Sequence, residues 1–101
     1  MDYYTIFDLE VLEGFGDASD HKREVSEVSG YPDCFGLWAT IWPDYEGSMR
    51  AYSKLYPNTL FLLTGEGEDP VDVWHAYYRD GKSHVVQAEI VYPPYDETLL
   101  K

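Results

Sequence analysis

The pair Asp80-Gly81 constrains this chain more than any other two residues. It separates two runs in which apolar and polar residues alternate, Val71–Tyr78 and Lys82–Val91. A two-residue turn of type I′ needs positive φ at both central positions, and Asp-Gly tolerates this better than almost any other pair. The turn predicts a hairpin in which Arg79 opposes Lys82, Tyr77 opposes His84, His75 opposes Val86 and Val73 opposes Ala88. One face then carries Val71, Val73, His75, Tyr77, Val86, Ala88 and Ile90. The other carries Asp72, Trp74, Ala76, Tyr78, Val85, Gln87, Glu89 and Val91.

Upstream, Leu60–Thr64 is a short apolar run that reads as a central strand. The acidic stretch Gly65-Glu66-Gly67-Glu68-Asp69-Pro70 connects it to the hairpin. Tyr3–Leu12 alternates over ten residues, with Tyr3, Thr5, Phe7, Leu9 and Val11 placed toward the core. Cys34–Trp42 reads as a further strand, with Trp38, Thr40 and Trp42 on one side. Pro43 ends it, and Asp44 is positioned to cap a helix from Tyr45 to about Tyr56. That helix carries an apolar stripe of Tyr45, Met49, Tyr52 and Tyr56, with Ala51 and Leu55 alongside. Asp17–Gly30 is open between a short helix, capped by Asp17 or Ser19, and a partly extended loop. The expected fold is α+β: an antiparallel sheet of about five strands with one or two helices on one face, a ferredoxin-like variant. Residues 1–101 read as one domain, with a tail from about 95.

Charge is the second constraint. The chain has 19 acids and 7 bases, a net charge of −12. Such a balance disfavours direct contact with nucleic acid or an anionic membrane and favours a basic partner. An aromatic content of 17% argues against an acidic disordered chain. The one cysteine, Cys34, allows no internal disulfide and reads as a small buried residue on a strand. No signal-peptide pattern or membrane-length apolar run is seen, so the expected location is the cytoplasm.

No catalytic set is recognisable. Glu66, Glu68, Asp69 and Asp72 crowd into seven residues but miss the spacing of a calcium loop. His75 and His84 share a face without a third ligand, so no metal or other cofactor is expected. The acids are spread in long single-sign runs: six precede Lys22, five lie between Arg23 and Arg50, and four between Lys54 and Arg79. Pooled on one surface, spaced carboxylates can imitate the phosphates of a duplex. If the helices cover the Val73 side of the sheet, Trp38, Trp42, Trp74 and Tyr78 lie exposed as anchors for a partner or a homodimer. The candidate partner-binding residues are therefore Asp44, Glu46, Glu66, Glu68, Asp69, Asp72, Trp38, Trp42, Trp74 and Tyr78.

The run Ser53-Lys54-Leu55-Tyr56-Pro57, then Leu60–Glu68, Val73-Trp74 and Tyr77–Lys82, resembles small proteins of phages and mobile elements. Some of these are ferredoxin-like, of the YubB type. The resemblance covers about the second half of the chain and implies a setting among inhibitors of host defence, such as anti-CRISPR and antirestriction proteins. The expected function is a non-enzymatic inhibitor that engages a basic, nucleic-acid-binding host protein in the host cytoplasm. The alternative is a self-associating module whose acidity serves solubility.

Overall fold

The computed structural model describes residues 4–31, 34–36, 39–69, 71–88 and 93–100. The hairpin forms as its turn chemistry requires, with φ of 49° at Asp80 and 77° at Gly81. Strands β1 (Thr5–Glu13), β2 (Leu60–Gly67), β3 (Val73–Arg79) and β4 (Lys82–Gln87) make one antiparallel sheet in the order β1-β2-β3-β4. Arg79 pairs with Lys82, Tyr77 with His84 and His75 with Val86, the register set by the turn. Leu12 is bulged out where β1 shifts register against β2.

Two helices, α1 (Ala18–Ser29) and α2 (Tyr45–Ser53), complete an α+β fold. Asp17 caps α1 by accepting from the Asp20 amide at 2.9 Å, and Gly30 ends it in the left-handed region. Its apolar content is thin, and only His21 and Val25 are buried. Asp44 caps α2 through the Gly47 amide, as expected. The helix ends at Ser53, short of the expected Tyr56; it buries Met49 and Tyr52, whereas Ala51 on it and Leu55 in the turn that follows face solvent.

The helices cover the opposite sheet face from the one expected. Phe7, Leu9, Phe61, Leu63, Trp74, Ala76 and Tyr78 form the core with Val25, Trp42, Met49 and Tyr52. Trp42, Trp74 and Tyr78 are 3%, 7% and 0% exposed, so they are core residues and not surface anchors. The physical reason lies at Gly65, which pairs with both Phe7 and Trp74. A Cβ on Gly65 would stand 2.2 Å from Trp74 Cζ2, so the indole lies across β2 where no side chain intervenes. Tyr45 stacks on that indole at 4.9 Å and 18°, and Phe7 meets it edge-on at 6.0 Å. Trp42 meets Phe7 edge-on at 5.3 Å. Each such ring pair adds about 0.5–1.5 kcal/mol beyond the area it buries, and one tryptophan buries more than Val73 could.

The stretch from Cys34 to Trp42 does not form a fifth strand among the described residues. Cys34 and Phe35 lie in a turn, and Thr40 makes an isolated two-bond bridge to Thr5 (2.8 and 2.9 Å). Leu37 and Trp38 lie outside the described residues. Cys34 is buried as expected, but in this turn. The sequential strand order is a meander, whereas a ferredoxin-like sheet threads its strands through helical crossovers.

Gly65→Ala should cost about 2–3 kcal/mol in urea unfolding, the upper part of the range for overpacking a core. A loss below about 0.5 kcal/mol, the scale of a neutral surface change, would mean that Trp74 is not seated on Gly65.

Candidate functional site

Strand β2 runs to Gly67, so Gly65 and Glu66 are strand residues and the acidic turn proper begins at Glu68. The Gly67 amide donates to the Asp72 carbonyl at 2.8 Å, and the Asp72 amide to the Asp69 carbonyl at 2.9 Å. Asp69 Oδ1 also accepts from the Val71 amide at 3.1 Å, while Pro70 lies outside the described residues. This bonding holds Glu68 and Asp69 outward, both exposed. Glu66 is exposed on the uncovered sheet face, between Ile6 and Val73 on the flanking strands. Asp72 Oδ1 accepts from Gln87 Nε2 at 3.2 Å.

The start of α2 reaches the same end of the sheet. Tyr45 lies on Trp74, and its phenol pKa is raised by burial and then by the carboxylates of Glu46 and Asp72. The structure thus brings Glu66, Glu68, Asp69 and Asp72 to one end of the sheet and puts the expected acids Asp44 and Glu46 at the start of α2, from which the Glu46 carboxylate reaches toward the hairpin end. It does not give them one role. Asp44 is a helix cap. Glu46 fastens α2 to the hairpin: its carboxylate accepts from Tyr78 Oη (2.8 Å), Ser83 Oγ (2.6 Å) and Arg50 Nε (2.9 Å). Partial burial pushes the Glu46 carboxyl up, but the hydrogen bonds from Ser83, Arg50 and Tyr78 outweigh it and hold the pKa below its ordinary 4.5. Burial, then the bond to Glu46, raises the Tyr78 phenol.

The bases are placed differently. Lys22 pairs with Asp8 at 2.6 Å, Arg23 with Asp20 at 3.4 Å, Arg50 with Glu46, and Arg79 with Glu13. Arg50 also reaches Ser83, Lys54 lies against Gly81, and Arg79 pairs across the hairpin with Lys82. Four of the seven bases therefore surround the hairpin end, opposite the 66–72 stretch. No ion pair among the described residues reaches Glu66 or Glu68.

One feature was missed by sequence reasoning. His21 is 2% exposed; its Nε2 donates to the Phe15 carbonyl at 2.8 Å and its Nδ1 lies 2.7 Å from Tyr52 Oη. A carbonyl only accepts, so Nε2 carries the proton of that bond. The ring fills a slot against Tyr56 and Phe61, both 4.8 Å away, and Gly16 has no Cβ to block it. Tyr56 in turn donates to Glu24 at 2.9 Å. A polar residue in a segment short of apolar ones was the available signal. Its partner lies 31 positions away.

Among the described residues, no three His, Cys, Asp or Glu side chains are placed to hold a metal ion. His75 and His84 are exposed on the uncovered face, where His84 stacks on Tyr77. No helix among the described residues is long and apolar enough to cross a membrane. No family model, curated protein or solved structure matches this chain.

Because folding lowers the Glu46 pKa, its contribution to stability is present above pH 4.5 and is lost as pH falls through the folded value. Urea midpoints of wild type should therefore drop as pH falls below 4.5, and Glu46→Gln should lack part of that drop. Parallel pH profiles would contradict the assignment of Glu46 as the fastening residue.

Proposed function

We propose that this protein is a non-enzymatic acidic inhibitor that engages a basic, nucleic-acid-binding host defence protein, of the CRISPR-effector or restriction-nuclease kind, inside the host cell. The observation that carries the reading is the separation of charge along the sheet. Glu66, Glu68, Asp69 and Asp72 gather at one end, whereas Arg50, Lys54, Arg79 and Lys82 lie at the other, interspersed with Glu13, Glu46 and Asp80. Duplex-binding channels are lined with lysine and arginine that recognise backbone phosphates. Carboxylates held outward by a bonded turn offer such a channel a substitute for those phosphates.

With Trp42, Trp74 and Tyr78 in the core, the contact set narrows. Glu66, Glu68, Asp69 and Asp72 supply charge, while exposed Ile6 and Val71 beside them supply apolar area. Asp44 and Glu46 act at one remove, by fixing α2. A phage or mobile-element origin, implied by the resemblance of the second half of the chain, accords with this role.

The test is a panel of purified CRISPR effectors and restriction nucleases, assayed for DNA binding with and without the protein. An inhibited member should lose at least about tenfold in affinity for the Glu66→Lys, Glu68→Lys, Asp69→Lys triple variant, and also when salt is raised severalfold. The circular dichroism of the variant should be unchanged, because all three positions are exposed. Inhibition insensitive to both changes would contradict the acidic contact.

A further inference from the structure

The two edges of the sheet are treated unequally. At the β1 edge, the outward main-chain groups of Thr5 bond to Thr40, and α1 lies alongside with Lys22 fastened to Asp8. At the β4 edge, no described residue adds a bridge. A type I′ turn makes Arg79–Lys82 a hydrogen-bonded pair, and the Ala88 amide donates to Val73 at 2.9 Å. The amides of Lys82, His84, Val86 and Ala88 therefore turn toward β3. Those of Ser83, Val85 and Gln87 turn outward. Unpaired edges are templates for another strand unless proline, bulges, charges or a covering segment blunt them. Lys82 is the one blunting residue in β4. Val85 and Val86 are 48% and 44% exposed.

We propose that β4 is where a second copy of this chain joins the sheet, antiparallel about Val85. A two-fold axis perpendicular to the sheet keeps both helical layers on one side and requires opposed residues to share a face. Centred on Val85, the pairing meets that condition: Val85 opposes Val85, and Ser83 opposes Gln87, all on the helix-covered face. The same register places the outward amides and carbonyls of these three residues opposite one another. Three residues from each copy then exchange six main-chain hydrogen bonds, extending four strands to eight.

Charge selects the occupant. The β3 and β4 strands contain no carboxylate, in a chain with 19; Asp80 in the connecting turn is the only acid from Val73 to Ala88. The two carboxylates that reach β4, Glu46 at Ser83 and Asp72 at Gln87, are already bonded there, so a basic partner finds little complement along this edge. A second copy, itself at −12, meets less repulsion at this edge than at the 66–72 end or along β1, which carries Asp8, Glu10 and Glu13. This association is independent of the inhibitor reading.

Sedimentation and light scattering at about 100 μM should give twice the 11.7 kDa chain mass. Val85→Pro removes one outward amide and none of the bonds to β3, so it should weaken dimerisation at least tenfold while leaving circular dichroism native. The register has its own test in air oxidation of cysteine variants. Opposed Cα atoms of a hydrogen-bonded pair lie about 5.5 Å apart, inside the disulfide range, so Val85→Cys should form a covalent dimer. Gln87→Cys should not, because its symmetry mate is about 13.6 Å along the strand. A monomeric wild type, a dimer unaffected by Val85→Pro, or cross-linking through Cys at 87 and not at 85 would each overturn the proposal.

Discussion

The indole of Trp74 lying over Gly65, beneath the ring of Tyr45, is the contact on which the rest of the molecule depends. It decides which face of the β2–β3 pair is covered. It also sets where α2 starts. From there α2 runs along the sheet to its hairpin end, where Ser53 Oγ accepts from the Gly81 amide at 2.8 Å. The Glu46 carboxylate, held by Tyr78, Ser83 and Arg50, fixes the helix about its axis. Aromatic packing places the layer, and one carboxylate network orients it.

That arrangement has a consequence for the surface. Because Trp42, Trp74 and Tyr78 are used inside, they are not available to a partner, and the exposed apolar residues near the charged ends are smaller ones such as Ile6, Val71, Val85 and Val86. The charge is sorted along the strands. The sorting follows from the chain path: the turn joining β2 to β3 is acidic, whereas the hairpin end receives Lys82 and Arg79 and the C-terminal turn of α2 brings Arg50 and Lys54 to it. A helix C-terminus favours cations, so the basic corner is also a helix-dipole effect.

Local chemistry was legible in the sequence where one short signal decides the outcome. Asp80-Gly81 gave the hairpin and its register, Asp44 the α2 cap, and alternation in Thr5–Val11 the inward face of β1. Period two in β3 separated Trp74, Ala76 and Tyr78 from Val73, His75 and Tyr77, but both sets are apolar enough to face a core. Periodicity names the two sets and leaves the side open. The missing information was non-local: the β2–β3 register that places Gly65 opposite Trp74. The same limit applied to Cys34–Trp42, where alternation suggested a strand but, among the described residues, only Thr40 finds a partner on β1. His21 was illegible for a related reason, since its hydrogen-bond partner Tyr52 comes from the other helix. Of the candidate contact residues, the acids were found by charge, and those already engaged in capping or fastening could be sorted out only from their hydrogen bonds.

The placement of Trp74 can be observed directly by proton NMR of the wild-type protein. A glycine Hα beneath an indole ring is shifted upfield by the ring current. An indole seated on Gly65 should give an upfield Gly65 Hα resonance with cross-relaxation to the Trp74 indole Hζ2, and cross-relaxation between the indole and the Tyr45 ring. An ordinary Gly65 shift, with Trp74 indole contacts to Ile6 or Tyr77 on the uncovered face instead, would contradict it and return the tryptophan to the surface.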